Sequence, residues 1–389
     1  MPCQGFWASL VTTQTMSGEA VADQQTVFLA RERLQQLLDA LQATGRRCVG
    51  PVERDGALTF DDITSAEQLP VGVHDAQAPG SYGLQHDDSP RCFAWANGPQ
   101  ALKPLTFAPQ ETLWRVSSDD DGLHFHPVAG EQSAIAVLGV RACDLGALEL
   151  QEKHFLGAEH IDPGFSARRE ALFFVAVDCS HPADTCFCVS TGDGPGATQG
   201  FDIAMSELDE GFLLRAGSAE GEAVIDMLSL KTASEAQKEQ VADELVQAAE
   251  TQTRQLPSDD LRDVLFERQD HPHWTEIAER CLACGNCTAV CPSCFCSAYE
   301  SRPSLDGLEA EQLRSWDSCF SFEHSNLHGH PLRDDIRLRY RQWLTHKLAG
   351  WHDQYGRSGC TGCGRCITWC PVGIDLTAEV AALLEEEAT

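Results

Sequence analysis

Two cysteine runs near the C-terminus carry the clearest chemistry in this chain. The first reads Cys281-Leu-Ala-Cys284-Gly-Asn-Cys287-Thr-Ala-Val-Cys291-Pro292, and the second Cys360-Thr-Gly-Cys363-Gly-Arg-Cys366-Ile-Thr-Trp-Cys370-Pro371. Both have the C-x-x-C-x-x-C-x-x-x-C-P spacing that wraps a [4Fe–4S] cube. Thiolates are soft ligands suited to iron–sulfur clusters. Two intervening residues let successive cysteines curl around three corners of one cube. Gly285, Gly362 and Gly364 remove Cβ atoms where backbone must pass close to inorganic sulfide. In two-cluster proteins the fourth cysteine of a run usually crosses to the other cube. The expected ligand sets are therefore Cys281, Cys284, Cys287 and Cys370 for one cluster, and Cys360, Cys363, Cys366 and Cys291 for the other. A lone C-x-x-C would leave zinc a serious rival. Two complete runs, each closed by Cys-Pro, speak against it. The chain's length and the lack of a basic-then-apolar start speak against a secreted disulfide framework.

A second constellation lies upstream. Cys143 follows an apolar run, in Val140-Arg-Ala-Cys143-Asp144, and Cys179 follows another, in Val177-Asp178-Cys179. Cys186 and Cys188 come just after, in Thr-Cys186-Phe-Cys188. If the two apolar runs are neighbouring parallel strands, all four thiols meet at the carboxyl ends where sites form. The group is then either a third metal or iron–sulfur site, or a set of buried apolar thiols. The glycine-rich loop Thr191 to Gly196 reads as a tight turn beside that site rather than a phosphate cradle, because no evident helix follows it. Cys294, Cys296 and Cys319 offer three thiols without a clear fourth and read as packing near the cubes. Trp316, Trp343 and Trp369 read as core fillers, and His346 and His352 as solvated or capping. No nucleophile elbow, H-E-x-x-H or Walker loop is present, so no catalytic residue is expected in this chain.

These residues must be held by a larger frame. The continuous apolar segments 134–140 and 172–177 suit strands buried on both faces of a parallel sheet. Residues 145–155 between them have helical character, giving a βαβ unit. Leu34, Leu37, Leu38 and Leu41 mark an amphipathic helix ending at Gly45, and a strand is expected from Cys48. Residues 58–127 read as Gly/Pro-rich and irregular, with short extended pieces such as Cys92 to Trp95. A hairpin region is expected over 201–226 and helix over 234–256. A helix capped by Ser258, the segment Trp274 to Arg280, a helix over 332–348 and a short one over 376–384 surround the cysteine runs. The expected fold is an α/β (or α+β) N-terminal domain over 26–257, followed by an α-helical ferredoxin domain with two clusters over 258–389. Residues 1–25 read as a disordered extension, or as a start assigned too early before Met16.

The chain has 389 residues, 18 cysteines and a formal net charge of −31. Such a surface repels nucleic acid and anionic membranes. It reads as a generally acidic surface or as a docking face for a basic partner; the even spread of acids favours the former. No apolar run reaches the ~18 residues that would cross a bilayer. Many cysteines without an export signal point to a reducing cytoplasm.

Several blocks resemble a known family. The stretches around Arg141-Ala-Cys143-Asp144, Cys179 to Cys188, Cys291-Pro-Ser-Cys294-Phe-Cys296, Trp316-Asp-Ser-Cys319-Phe320, Arg339 to Trp343 and Gly362 to Asp375 are similar to the β subunit of soluble NAD(P)-linked Ni–Fe hydrogenases (sulfhydrogenases). The A subunit of anaerobic sulfite reductase is similar in the same places. The resemblance implies an iron–sulfur electron-transfer subunit. Its partners would be a flavin- and NAD(P)-binding reductase subunit and the small and large Ni–Fe hydrogenase subunits, or a sirohaem reductase subunit. A reading of another class, a free ferredoxin-like carrier or redox sensor, leaves a large N-terminal domain without a purpose.

Overall fold

The computed structural model describes residues 26–128, 133–157, 159–257 and 261–385. The expected cap at Ser258 and the extension over 1–25 lie outside the described residues.

The frame is an eight-stranded mixed sheet. Its centre is parallel: Arg47–Arg54, Ile135–Val140, Leu172–Val177 and Ile203–Leu208 lie side by side in that order. The antiparallel strands Ala57–Asp62 on one side and Gly211–Ala216, Val27–Ala30 and Lys231–Thr232 on the other complete it. Ile135–Val140 and Leu172–Val177 are almost wholly buried, as their unbroken apolar sequences require. Two helices, Ala142–Phe155 and Pro163–Glu170, connect these strands, so the crossover is longer than its single expected helix. The amphipathic helix Leu34–Ala43 buries four leucines on one face of the sheet. Gly45, with φ +82, turns the chain into the next strand. Residues 203–216 form the expected hairpin, but 219–227 continue as helix. The helix Glu235–Glu250 starts at Ser234 with a reciprocal capping box to Gln237.

The segment expected to be irregular is more ordered than its composition suggests. It contains hairpin strands Val73–Ala78 and Ser81–His86, then Gln110–Asp119 and Gly122–Pro127. Residues 92–95, in contrast, are not extended in a ladder; they are fully buried coil. Glu207 holds them by accepting from the Cys92 and Phe93 amides at 2.8 and 2.7 Å.

The stretch between the two cysteine runs also departs from an all-helical module. Helices His273–Arg280, Ile336–Thr345 and Leu376–Leu384 pack a core around Trp274, Trp343 and Leu344. Residues Ser297–Pro303 and Glu309–Trp316, however, form a β-hairpin. That hairpin pairs antiparallel with Gln110–Asp119, making a four-stranded sheet out of distant parts of the chain. No helix among the described residues is long and apolar enough to cross a membrane.

Candidate iron–sulfur site

The two cysteine runs fold alike. Each passes through a glycine in the left-handed region, Gly285 (φ +75) and Gly364 (φ +74), that begins a single helical turn, Asn286–Ala289 or Arg365–Thr368. The two turns pack against each other, which brings the runs together. Cys281, Cys284, Cys287 and Cys370 line one cavity, and Cys366 borders it from the second run. Cys291 lies within electrostatic reach of Cys360, Cys363 and Cys366. Cys370 thus reaches the cavity of the first run and Cys291 lies near the thiols of the second, while Cys291 and Cys366 are also within electrostatic reach of Cys287.

The local chemistry fits two cubes. Backbone N–H groups point at thiol sulfurs: Ala283 at Cys281 (3.4 Å), Gly362 at Cys360 (3.5 Å) and Ile374 at Cys370 (3.3 Å). Amides so aimed stabilise thiolate charge. The ring of Trp343 lines the first cavity, and its buried indole N–H has no hydrogen-bond partner among the described residues. Sulfide would accept from such a donor. Burial pushes the Cys360 thiol up to about 12 and raises Cys287 well above its ordinary value. Crowded, buried thiols keep their protons unless a cationic core lies between them.

The upstream cysteines occupy the predicted end of the sheet. Ile135–Val140 and Leu172–Val177 are parallel neighbours, so Cys143 and Cys179 leave the same edge. Cys179, Cys186 and Cys188 lie within electrostatic reach of one another. Cys143 and Cys188 pack directly with Cys363 of the second run. The contact is close: a Cβ on Gly362 would meet the Cys188 backbone at 2.5 Å, and one on Gly364 the Thr185 carbonyl oxygen at 2.5 Å. The Phe187 amide also donates to the Gly362 carbonyl at 2.8 Å. The turn at Gly192 (φ +73) ends the short helix Cys188–Thr191 rather than beginning one, so it presents no helix N-terminus to a phosphate.

Three features escaped the sequence reading. Arg365, 1% exposed, reaches out of the second run to Asp144 with two bonds of 2.7 and 3.1 Å, and also donates to the Gly98 carbonyl. Arg141, also buried, donates to five backbone carbonyls from Phe93 to Asp178 and so clamps the carboxyl edge of the sheet. Both arginines fall inside cysteine-bearing motif blocks, and that was the one available signal. The third is Lys347, 4% exposed, whose Nζ donates to Cys291 Sγ at 3.3 Å and to Ser293 Oγ at 3.0 Å. Burial alone would lower its pKa; the charge of Cys291, with Cys294 and Cys360, outweighs burial and raises it. It emerges where the helix Ile336–Thr345 widens into a π-helical turn, His346–Gly350, a geometry often found at functional sites.

Cys294, Cys296 and Cys319 each contact another cysteine. Cys294 contacts Cys291. Cys296 accepts a hydrogen bond from Cys319, which with help from His324 pulls its thiol down to about 4. The bond to Cys296, strengthened by Asp317, pushes His324 up to about 9. Trp316 stacks under Lys103, Trp343 sits in the core and Trp369 stacks on Tyr82. His346 accepts from the Trp351 indole.

Comparison with known proteins points to the same segment of the chain. Residues 280–374 match the 4Fe-4S dicluster domain. The chain is also similar to sulfhydrogenase 2 subunit beta of Pyrococcus furiosus, at 28% identity over 358 residues, covering 90% of this chain and 95% of that protein. No solved structure matches it.

Proposed function

We propose that this protein, which carries two [4Fe–4S] clusters in its dicluster domain, is the iron–sulfur electron-transfer subunit of a cytoplasmic NAD(P)-linked Ni–Fe hydrogenase. It would relay electrons between a flavin- and NAD(P)-binding partner and the Ni–Fe partner. When bound, the clusters supply single-electron transfer. The observation that carries the reading is the meeting of the two runs: Cys281, Cys284 and Cys287 with Cys370 around one cavity, and Cys360, Cys363 and Cys366 with Cys291 beside it. We infer those two ligand sets, and a further site for Cys143, Cys179, Cys186 and Cys188, which abut Cys363 and would continue the path into the α/β domain over 26–257. The protein's own residues hold the ligands in place, direct amide dipoles at sulfur and exclude water around Cys360 and Cys363. The similarity to a sulfhydrogenase β subunit supports the choice of complex.

The test is anaerobic purification with metal analysis. About eight irons per chain fit two cubes and about twelve a third. Nickel and NAD(P)-dependent hydrogen turnover in the co-purified complex support the reading. Sirohaem absorbance with sulfite consumption would instead identify the sulfite reductase subunit, and a lone chain without partners a free carrier or sensor.

Lys347 should set the potential of the second cluster. Its Nζ lies 3.3 Å from Cys291 Sγ, and a positive charge beside a ligand sulfur would favour the reduced state of a cluster held there by roughly 2 kcal/mol, about 90 mV for one electron, at an effective dielectric near 20. Lys347→Met is expected to lower that cluster's midpoint by this amount in an EPR-monitored titration and leave the first cluster nearly unchanged. An unmoved midpoint would show that the ammonium does not act on the cube.

A further inference from the structure

We infer that the face formed by Leu282 and Cys284 of the first run with Pro371 and Val372 of the second is the contact surface for a redox partner subunit, one that meets it with an uncharged, apolar face and holds its own cofactor close behind. Given the electron-transfer role proposed above, on which this assignment rests, the first cluster exchanges electrons with that partner and the second stays internal.

The two ligand sets are unequally exposed. Cys284 lies at the surface, while Cys360 and Cys363 are each 8% exposed. Cys363 is walled in by Cys143 and Cys188, and a Cβ on Gly362 would strike the Cys188 backbone. Electron tunnelling weakens steeply with distance, so a cofactor on a partner protein exchanges fastest with the cluster at the surface.

Apolar side chains flank the exposed thiol. Leu282 is 62% exposed and Val372 40% exposed, with Pro371 also exposed, and all three border the cavity of the first run. Leu282 stands between two expected ligands and Val372 two positions after a third, so the meeting of the runs gathers them on one face. Grouped apolar side chains at a surface mark a contact site, whereas scattered ones need no explanation.

Charge is missing from this face. The chain has 59 acidic residues, yet 281–299 and 366–374 contain no Asp, Glu, Lys, Arg or His. The charges that bound these two stretches are all engaged in ion pairs: Arg280 with Glu379, Glu300 with Arg302, Arg365 with Asp144 and Asp375 with Arg254. Asp55, at the turn between Arg47–Arg54 and Ala57–Asp62, borders Pro371 from outside. In a chain of net charge −31 the face is a neutral window. Such a window selects a partner surface without charge, because an unpaired charge pressed against it would lose its water and gain nothing. A second copy of this chain fits the role poorly: it would set two identical clusters face to face, with no difference in potential to drive a current.

The experiment compares the anaerobically purified complex with the isolated full chain. Amide hydrogen exchange over 282–285 and 372–373 is expected to slow by about tenfold or more in the complex. Equal exchange in both would overturn the assignment. A Leu282→Gln/Val372→Gln double variant leaves the formal charge unchanged. It is expected to keep parental iron and a parental EPR signal after dithionite reduction, and to bind the partner about tenfold more weakly or worse. The control, Leu123→Gln/Phe125→Gln, alters two side chains 67% and 64% exposed on the strand Gly122–Pro127 and is expected to bind as the parent does. Parental binding by the first variant, or equal weakening by both, would overturn the assignment. If the first variant sheds iron, the exchange result on the parent decides alone. An isolated chain that dimerises in sedimentation, and that Leu282→Gln/Val372→Gln makes monomeric, would also overturn it, the occupant then being a second copy. Sirohaem in a complex protected at this face would remove the hydrogenase reading and leave the face standing; nickel with no protection here would do the reverse.

Discussion

Replacing Cys363 with Ala is expected to remove about four irons per chain and, in the proposed complex, to stop electron transfer between the partner subunits. Cys363 sits in the tight loop that presents Cys360 and Cys366, is 8% exposed, and packs against Cys143 and Cys188. Alanine cannot donate to iron, and the buried position admits little water to take its place. The loop itself should persist, because Asn97 Nδ2 still donates to the carbonyl of residue 363, at 2.9 Å in the parent, and Gly364 keeps its left-handed conformation. The variant should therefore lose a cofactor before it loses its fold. Iron and sulfide analysis against circular dichroism separates the two. An unchanged iron content would remove Cys363 from the ligand set, and with it the pairing of the two runs.

Asp144→Ala is expected to cost about 3–5 kcal/mol of stability, the range for stripping one partner from a buried ion pair. Asp144 and Arg365 are each almost fully buried, joined by two bonds 221 positions apart in sequence. Removing the carboxylate leaves a guanidinium in the interior with one carbonyl, that of Gly98, as its remaining acceptor. Arg365 lies between Cys363 and Cys366, so the strain should reach the second cluster and speed its loss of iron. Denaturant unfolding under anaerobic conditions measures the first effect and iron release over time the second. A stability change below about 1 kcal/mol would mean that the pair adds little over its neutral replacements.

The parts of this molecule that could be read from sequence are those set by local rules. Cluster ligation imposes fixed intervals, so both cysteine runs declared themselves. The segments 135–140 and 172–177 are apolar at nearly every position because both faces are covered, and that too is visible in a window of six residues. The hairpin over 297–316 gave no such signal. Its strands read Ser-Ala-Tyr-Glu-Ser-Arg-Pro and Glu-Ala-Glu-Gln-Leu-Arg-Ser-Trp, polar and charged, and the first is exposed along most of its length. Its order comes from pairing with residues 110–117, nearly 200 positions earlier, which no local pattern encodes. The same holds for the hairpins within 58–127, whose composition resembles loop. Arg365, Lys347 and His324 were hidden for a related reason. Each acts on a cysteine or carboxylate neighbourhood assembled by the fold, and one arginine, lysine or histidine carries no mark of burial in sequence.

The ladder that joins 110–117 to 309–315 has a consequence for how electrons must travel. Many redox proteins carry their cofactor on a tethered module that swings between donor and acceptor. Here the cluster-bearing half is stitched into the body of the chain by a shared sheet, and the loop at Cys188 is wedged against Gly362. Among the described residues these contacts hold the two halves together, so in the proposed complex the distances between cofactors within the subunit would be set at folding, and control of electron flow would fall to how partner proteins meet its surface.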